Sequence, residues 1–167
     1  VQQTYFFRRE NTNMFGKARS WTDELLWHQA CHMVDFMFWL FGEPDIEVWA
    51  QSGPPHASLG IPMDITIGMR SDSGCLVTSA NSFNNHGPIS ANYRFIGEEE
   101  TLLFEKGRLT DHEGREIPVE GGGLAAQDRE FFDAIIQKRK PFTSCEACLP
   151  VMAILDRLQR SFLTGSD

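Results

Sequence analysis

The sequence has 167 residues, 41% hydrophobic and 23% charged, with a formal net charge of −8. This is the length and makeup of one globular domain with a single core. No Lys/Arg cluster exceeds KRK at 138–140 and no apolar run is long enough to span a bilayer, which argues against nucleic acid and membrane as partners.

The chain opens on "VQQTYFFRR", which has no initiator Met and no signal-peptide pattern and already reads as a strand over residues 1–8. A start inside a larger polypeptide is therefore expected. The polar stretch "RRENTNMFGKARSWT" reads as an ordered loop. From Asp23 the spacing predicts a helix that stops at Gly42, with Pro44 just beyond.

Five β-like runs follow: "DIEVWAQ" (45–51), "MDITIGMR" (63–70), "CLVTSANSF" (75–83), "SANYRFIGE" (90–98) and "TLLFEKG" (101–107). "SDSG" and "GEEE" are expected to turn between neighbouring runs, and "GRLTD" with "REIPV" to add a short hairpin. "MDITIGM" and "CLVTSA" carry apolar residues in both registers, as a sheet buried on both faces would. Two helices close the chain. The first is "LAAQDREFFDAIIQKR", with Leu124, Phe131, Phe132, Ile135 and Ile136 near helical spacing; the second runs on from an N-cap at Ser144. The fold class expected is α+β: one domain over residues 1–167, with an open, largely antiparallel sheet and helices packed on one face.

The helix "DELLWHQACHMVDFMFWLFG" (23–42) is apolar nearly all round, yet carries two histidines and an aspartate. At ~100° per residue, His28, His32, Asp35 and Trp39 fall within roughly 60° on one stripe. Trp27, Cys31, Val34, Phe38 and Phe41 form a second stripe, expected to pack on the sheet. A helix this apolar is expected to be buried, so its polar stripe faces either satisfied neighbours or a ligand. Asp35 is placed to orient the His32 imidazole. The His28-x-x-x-His32 spacing suits a metal, but Gln29 stands where a zinc protease needs Glu and no third ligand is evident. No metal site is expected.

Immediately before that helix, Arg8, Arg9, Asn11, Asn13, Lys17, Arg19 and Trp21 make a cationic, polar cluster in an acidic chain. Arginine forks grip carboxylates, so this loop is the candidate substrate-binding segment. "CEAC" at 145–148 lacks a second pair for zinc, and the glycines at 121–123 lack the flanking elements of a dinucleotide fingerprint. Four unevenly spaced cysteines suggest no disulfide framework, and hence a reducing cytoplasm.

The order strand, polar loop, His/Asp helix, meander and closing helices, carried best by "HQACHMVDFMFWLFGEP", resembles the C-terminal domain of the glucose–fructose oxidoreductase/inositol dehydrogenase/MocA superfamily. The resemblance spans essentially the whole chain. It implies a partner N-terminal Rossmann domain, absent here, that binds NADP or NAD. It also implies that this domain supplies substrate contacts and a homodimer or homotetramer interface through its sheet face. His32 matches the superfamily's proton-transfer histidine, while His28 stands where Asp is usual, a departure from the sugar-oxidising pattern. "NMFGKARSWTDELLWHQACHMVDF" is similar to a branch that oxidises the cyclic hemiacetal of an aromatic-acid breakdown product to a pyrone dicarboxylate.

The expected function is thus the substrate half of a dehydrogenase, inert alone, with His32, His28 and Asp35 as catalytic residues. Arg8, Arg9, Asn13, Arg19 and Trp21 would hold a dicarboxylate. The rivals are a sugar or inositol dehydrogenase of the same superfamily, a non-enzymatic module that binds an acidic small molecule, and a metal-dependent hydrolase.

Overall fold

The computed structural model describes residues 2–5, 11–13, 15–42, 46–85, 90–119 and 122–164. Along the chain lie β1 (Gln2–Tyr5), a π-helical turn (Leu26–Ala30), α1 (Cys31–Phe41), β2 (Ile46–Ser52), β3 (Asp64–Ser71) and β4 (Leu76–Ser82). Then come β5 (Ser90–Ile96), β6 (Thr101–Glu105), β7 (Arg108–Thr110), β8 (Glu116–Ile117), α2 (Gly123–Ile136) and α3 (Cys145–Thr164).

Among the described residues the strands form one sheet in the order β2-β3-β4-β1-β5-β6-β7-β8. Each neighbouring pair is antiparallel except β1 and β4, which run parallel. The first strand in sequence therefore sits in mid-sheet, joining the β2–β4 half to the β5–β8 half. The expected turns are present: the Gly74 N–H donates to the Ser71 carbonyl at 3.0 Å, and the Gly97 N–H to the Glu100 carbonyl at 2.9 Å. Gly42, at φ 63°, ends α1 with its N–H on the Phe38 carbonyl at 3.0 Å. Ser144 caps α3 through its Oγ, which accepts from the Ala147 N–H at 3.3 Å.

The core lies between the β2–β4 half and the layer formed by the π turn, α1 and α3. Ile46 and Ala50 of β2, and Ile65, Ile67 and Met69 of β3, point into it. Leu26, Ala30, Met33, Val34 and Met37 meet them from above, joined by Val151, Ile154, Leu155 and Leu158 of α3. Burial contributes ~1.5–3 kcal/mol for each large aliphatic side chain. Trp27 Nε1 donates to Gln159 Oε1 at 2.9 Å, tying the π turn to α3.

This differs from the expected packing of α1. Residues 26, 30, 33 and 37 make the core stripe, joined by Val34, whereas Cys31, Phe38 and Phe41 are only partly buried against it and Trp27 stays partly exposed. The core stripe has the same spacing as His28, His32, Asp35 and Trp39, displaced by two residues, which is about 160° around a helix. His32, Asp35 and Trp39 therefore lie opposite the core, and the helix is not buried all round.

Among the described residues, the outer face of β2–β4 carries Glu47, Trp49, Thr66, Arg70 and Thr78, all exposed in the single chain. Trp49 and Gly68 are directly paired across β2 and β3, and a Cβ on Gly68 would lie 2.1 Å from the indole. Glycine is required there because the ring lies across it. In α2, Leu124, Phe131, Phe132, Ile135 and Ile136 are exposed and Ala134 is buried.

Gly68→Ala is expected to displace the Trp49 ring and destabilise the chain by about 1–3 kcal/mol, read as a lower Tm with changed tryptophan fluorescence. A second expectation concerns the turn after α2. Arg139 donates to both Glu130 oxygens, at 2.7 Å each, and the Phe142 N–H donates to Glu130 Oε1 at 3.0 Å. The guanidinium, with that N–H, holds the Glu130 carboxyl down at about 2. Because the folded-state value is depressed, its stabilisation is present above the ordinary carboxylate range and fades as pH falls towards about 2. Carboxyl NMR should show Glu130 titrating last among the glutamates, and Arg139→Gln should return it to the ordinary range.

Candidate functional site

The loop ahead of the helix is a compact, self-bonded unit. Thr12 and Ala18 form a β-bridge, the Asn13 N–H donates to the Lys17 carbonyl at 2.8 Å, and the Arg19 N–H donates to the Asn11 carbonyl at 2.9 Å. Asn13 Oδ1 accepts from the Phe15 and Lys17 N–H groups at 2.9 and 3.1 Å, which is the turn-forming habit of asparagine. That oxygen holds the turn of the loop.

Arg19 is held within the loop too. Its Nε donates to Asn11 Oδ1 at 3.1 Å and its Nη1 to Asp23 Oδ2 at 2.8 Å, with both partners of the ion pair only about a tenth exposed (10% and 11%). Its guanidinium also lies 5.5 Å from the centre of the Trp21 ring, and Trp21 is itself exposed. Arg19, expected to grip substrate, is here held internally through Nε and Nη1, with Asp23 supplying a carboxylate. Arg8 and Arg9 lie outside the described residues.

His28 occupies the π turn. A π turn closes i→i+5 bonds, so each residue advances by less than in an α-helix and the stripe changes phase there. His28 is half-buried, its ring edge-on to the buried Phe83 with centroids 6.2 Å apart. Its Nε2 lies 3.7 Å from Asp23 Oδ2, and its Nδ1 is buried. His32, Asp35 and Trp39 continue along α1 on the exposed side. The single stripe expected from regular spacing is therefore split: His28 turns towards Asp23 and Phe83, and His32 faces outward.

Among the described residues Asp35 makes neither hydrogen bond nor ion pair with His32, so the orienting role expected for it is not seen. Burial, reinforced by the nearby Asp35 carboxylate, pushes the Cys31 thiol up, which keeps it from acting as a thiolate beside His32. No cluster of three His, Cys, Asp or Glu side chains is brought together among the described residues, so His28 and His32 have no third metal ligand there. Cys145 is exposed and Cys148 half-buried at the start of α3, away from this constellation in sequence.

Beyond Trp39, an apolar groove of about 550 Å³ runs between α1 and the β5–β8 half. Phe36 forms one wall, edge-on to Tyr93 at 5.4 Å and to Phe95 at 6.2 Å. Sequence reasoning missed Asp23 as a partner of Arg19, because the two meet in an irregular loop where no helical or strand spacing brings them together.

A family profile of bacterial oxidoreductase C-terminal domains matches residues 1–122. The chain belongs to that family. It is 40% identical over 164 residues to the 4-carboxy-2-hydroxymuconate-6-semialdehyde dehydrogenase of Sphingobium sp. (strain NBRC 103272 / SYK-6), covering 94% of this chain and 51% of the relative. Its fold matches the WlbA dehydrogenase from Bordetella pertussis, solved in complex with NADH and UDP-GlcNAcA, with TM-score 0.76 at 16% identity over 98% of this chain and 52% of the other. It also matches the UDP-N-acetylglucosamine 3-dehydrogenase of Acidithiobacillus ferrooxidans, with TM-score 0.73 at 17% identity over 98% and 53% of the two chains. The α+β architecture expected from the sequence is thus that of an oxidoreductase C-terminal domain, and the chain spans about half the length of the relatives it matches.

The split between the two histidines is open to chemical test. Histidine-selective acylation of the chain, mapped by mass spectrometry, should modify His32 well before His28. Equal rates would show that the π turn does not shelter His28.

Proposed function

We propose that this domain is the substrate-binding and oligomerisation half of an NAD(P)-dependent dehydrogenase. The substrate is the cyclic hemiacetal of 4-carboxy-2-hydroxymuconate-6-semialdehyde, and the product is 2-pyrone-4,6-dicarboxylate. The observation that carries the reading is the position of His32: an exposed imidazole on the α1 face opposite the core. It stands in a chain 40% identical to a dehydrogenase of that name.

In this reading His32 takes the proton of the hemiacetal hydroxyl as the carbon–hydrogen bond breaks. The nicotinamide, when bound, accepts the hydride. No residue of this chain is assigned to holding the cofactor; the N-terminal Rossmann domain does that, and the domain is inert without it. Arg8 and Arg9 hold the substrate carboxylates, while Arg19 and Asn13 keep the loop in shape and Trp21 flanks it. Asp35 adds negative charge to the same face without touching His32. The exposed apolar residues of α2 support a neighbouring domain, since leaving several large apolar side chains in water is costly. The open outer face of β2–β4 supports a second copy packed sheet to sheet. No helix among the described residues is long and apolar enough to cross a membrane. A cytoplasmic location fits the unpaired thiols among the described residues.

The test is nicotinamide reduction by the whole protein with the enzymatically generated hemiacetal, with NADP and NAD compared. His32→Ala should lower kcat by ~10²–10⁴. A loss below about tenfold would remove His32 from proton transfer. A UDP-sugar oxidised in preference to the hemiacetal would return the protein to the sugar-oxidising branch of its family.

A further inference from the structure

The chain Asn11–Arg19–Asp23–His28 goes beyond the family's histidine helix and joins the polar loop to the site. Asp23 sits just before the helix, 11% exposed, where its carboxylate cannot wander because Arg19 Nη1 grips Oδ2 at 2.8 Å. Arg19 is fixed in turn from its other edge by Asn11 Oδ1 at 3.1 Å, and Asn11 Nδ2 donates to Thr22 Oγ1 at 3.2 Å. The same Asp23 oxygen lies 3.7 Å from His28 Nε2. Behind the imidazole stands Phe83, fully buried at the end of β4. His28 is thus wedged between a clamped carboxylate and a core aromatic, with Nδ1 buried and Nε2 turned to Asp23. Nδ1 of His28 is buried, whereas His32, four residues on, is exposed.

We propose that Asp23 is a positioning residue: held by Arg19, it fixes His28 in the Nε2–H tautomer and, through the π turn that His28 anchors, sets the direction of His32. This rests on the dehydrogenase reading for its catalytic meaning, but not for its structural content. A carboxylate 3.7 Å from one ring nitrogen favours the proton on that nitrogen electrostatically, and Phe83 bounds the ring on another side. The cost of the arrangement is an irregular first turn, and such turns recur where a side chain must point somewhere a regular helix would not send it.

The experiment uses the whole protein with ¹⁵N-histidine labelling, comparing wild type, Asp23→Asn and Asp23→Glu, with the two rings assigned by His28→Gln and His32→Gln. The wild type should show His28 as the Nε2–H tautomer. Asp23→Asn should lose that signature and shift the His32 ring signals. It should also lower kcat by about tenfold or more with KM little changed, because the group doing proton transfer is misaimed rather than removed. Asp23→Glu should restore most of kcat and the tautomer. Unchanged His28 signals in Asp23→Asn would overturn the hold on the ring, and shifted His28 signals with unchanged His32 signals and kcat would overturn the positioning role. If the wild type reduces no nicotinamide with the hemiacetal, the dehydrogenase reading fails separately, and the His32 ring signals alone decide the inference. Should a thermal melt show Asp23→Asn unfolded, Arg19→Gln releases the same carboxylate without removing it and is read in the same way.

Discussion

The structure depends on one packing contact: the stripe Leu26, Ala30, Met33 and Met37 set against Ile65, Ile67 and Met69 of β3. Once that face of α1 is buried, helical geometry turns the opposite face outward. Residues displaced by two positions point about 160° away, so His32, Asp35 and Trp39 must face outward. The same hydrophobic burial that holds the helix on the sheet therefore presents the imidazole to whatever lies across from it. Changing the core stripe would re-aim the site without touching a site residue.

The second constraint is electrostatic. An acidic chain places arginines next to its histidine helix, and one of them pairs with Asp23 inside the loop. Arg19 with Asp23 forms a sheltered, multiply hydrogen-bonded pair, which is worth more in fixed geometry than in net stability. It turns a polar loop of asparagines and threonines into a rigid bracket at the start of the helix.

The two halves of the sheet differ in how they are finished. The β2–β4 half carries the helices, and the β5–β8 half leaves Tyr93, Phe95 and Phe104 lining a groove beside Phe36 and Trp39. β1 bridges them through parallel pairing with β4 and antiparallel pairing with β5. α2 likewise exposes Leu124, Phe131, Phe132, Ile135 and Ile136.

Much of this was legible in the residues. Period-2 alternation and turn chemistry located the meander strands and their hairpins, Gly42 and Ser144 marked helix ends, and the His/Asp helix with its flanking motif pointed to the oxidoreductase C-terminal domain. These are local signals, written in the steric and hydrogen-bonding habits of single residues and short windows. What only the tertiary structure decided is which face of an almost wholly apolar helix meets the sheet, because apolar side chains on either stripe satisfy the same periodicity. It also decided where β1 inserts, since strand order is set by long-range pairing. Finally it decided that Arg19 and Asn13 serve the loop and that His28 parts from His32. Those outcomes hang on a π turn and on an ion pair between residues whose meeting no local pattern requires.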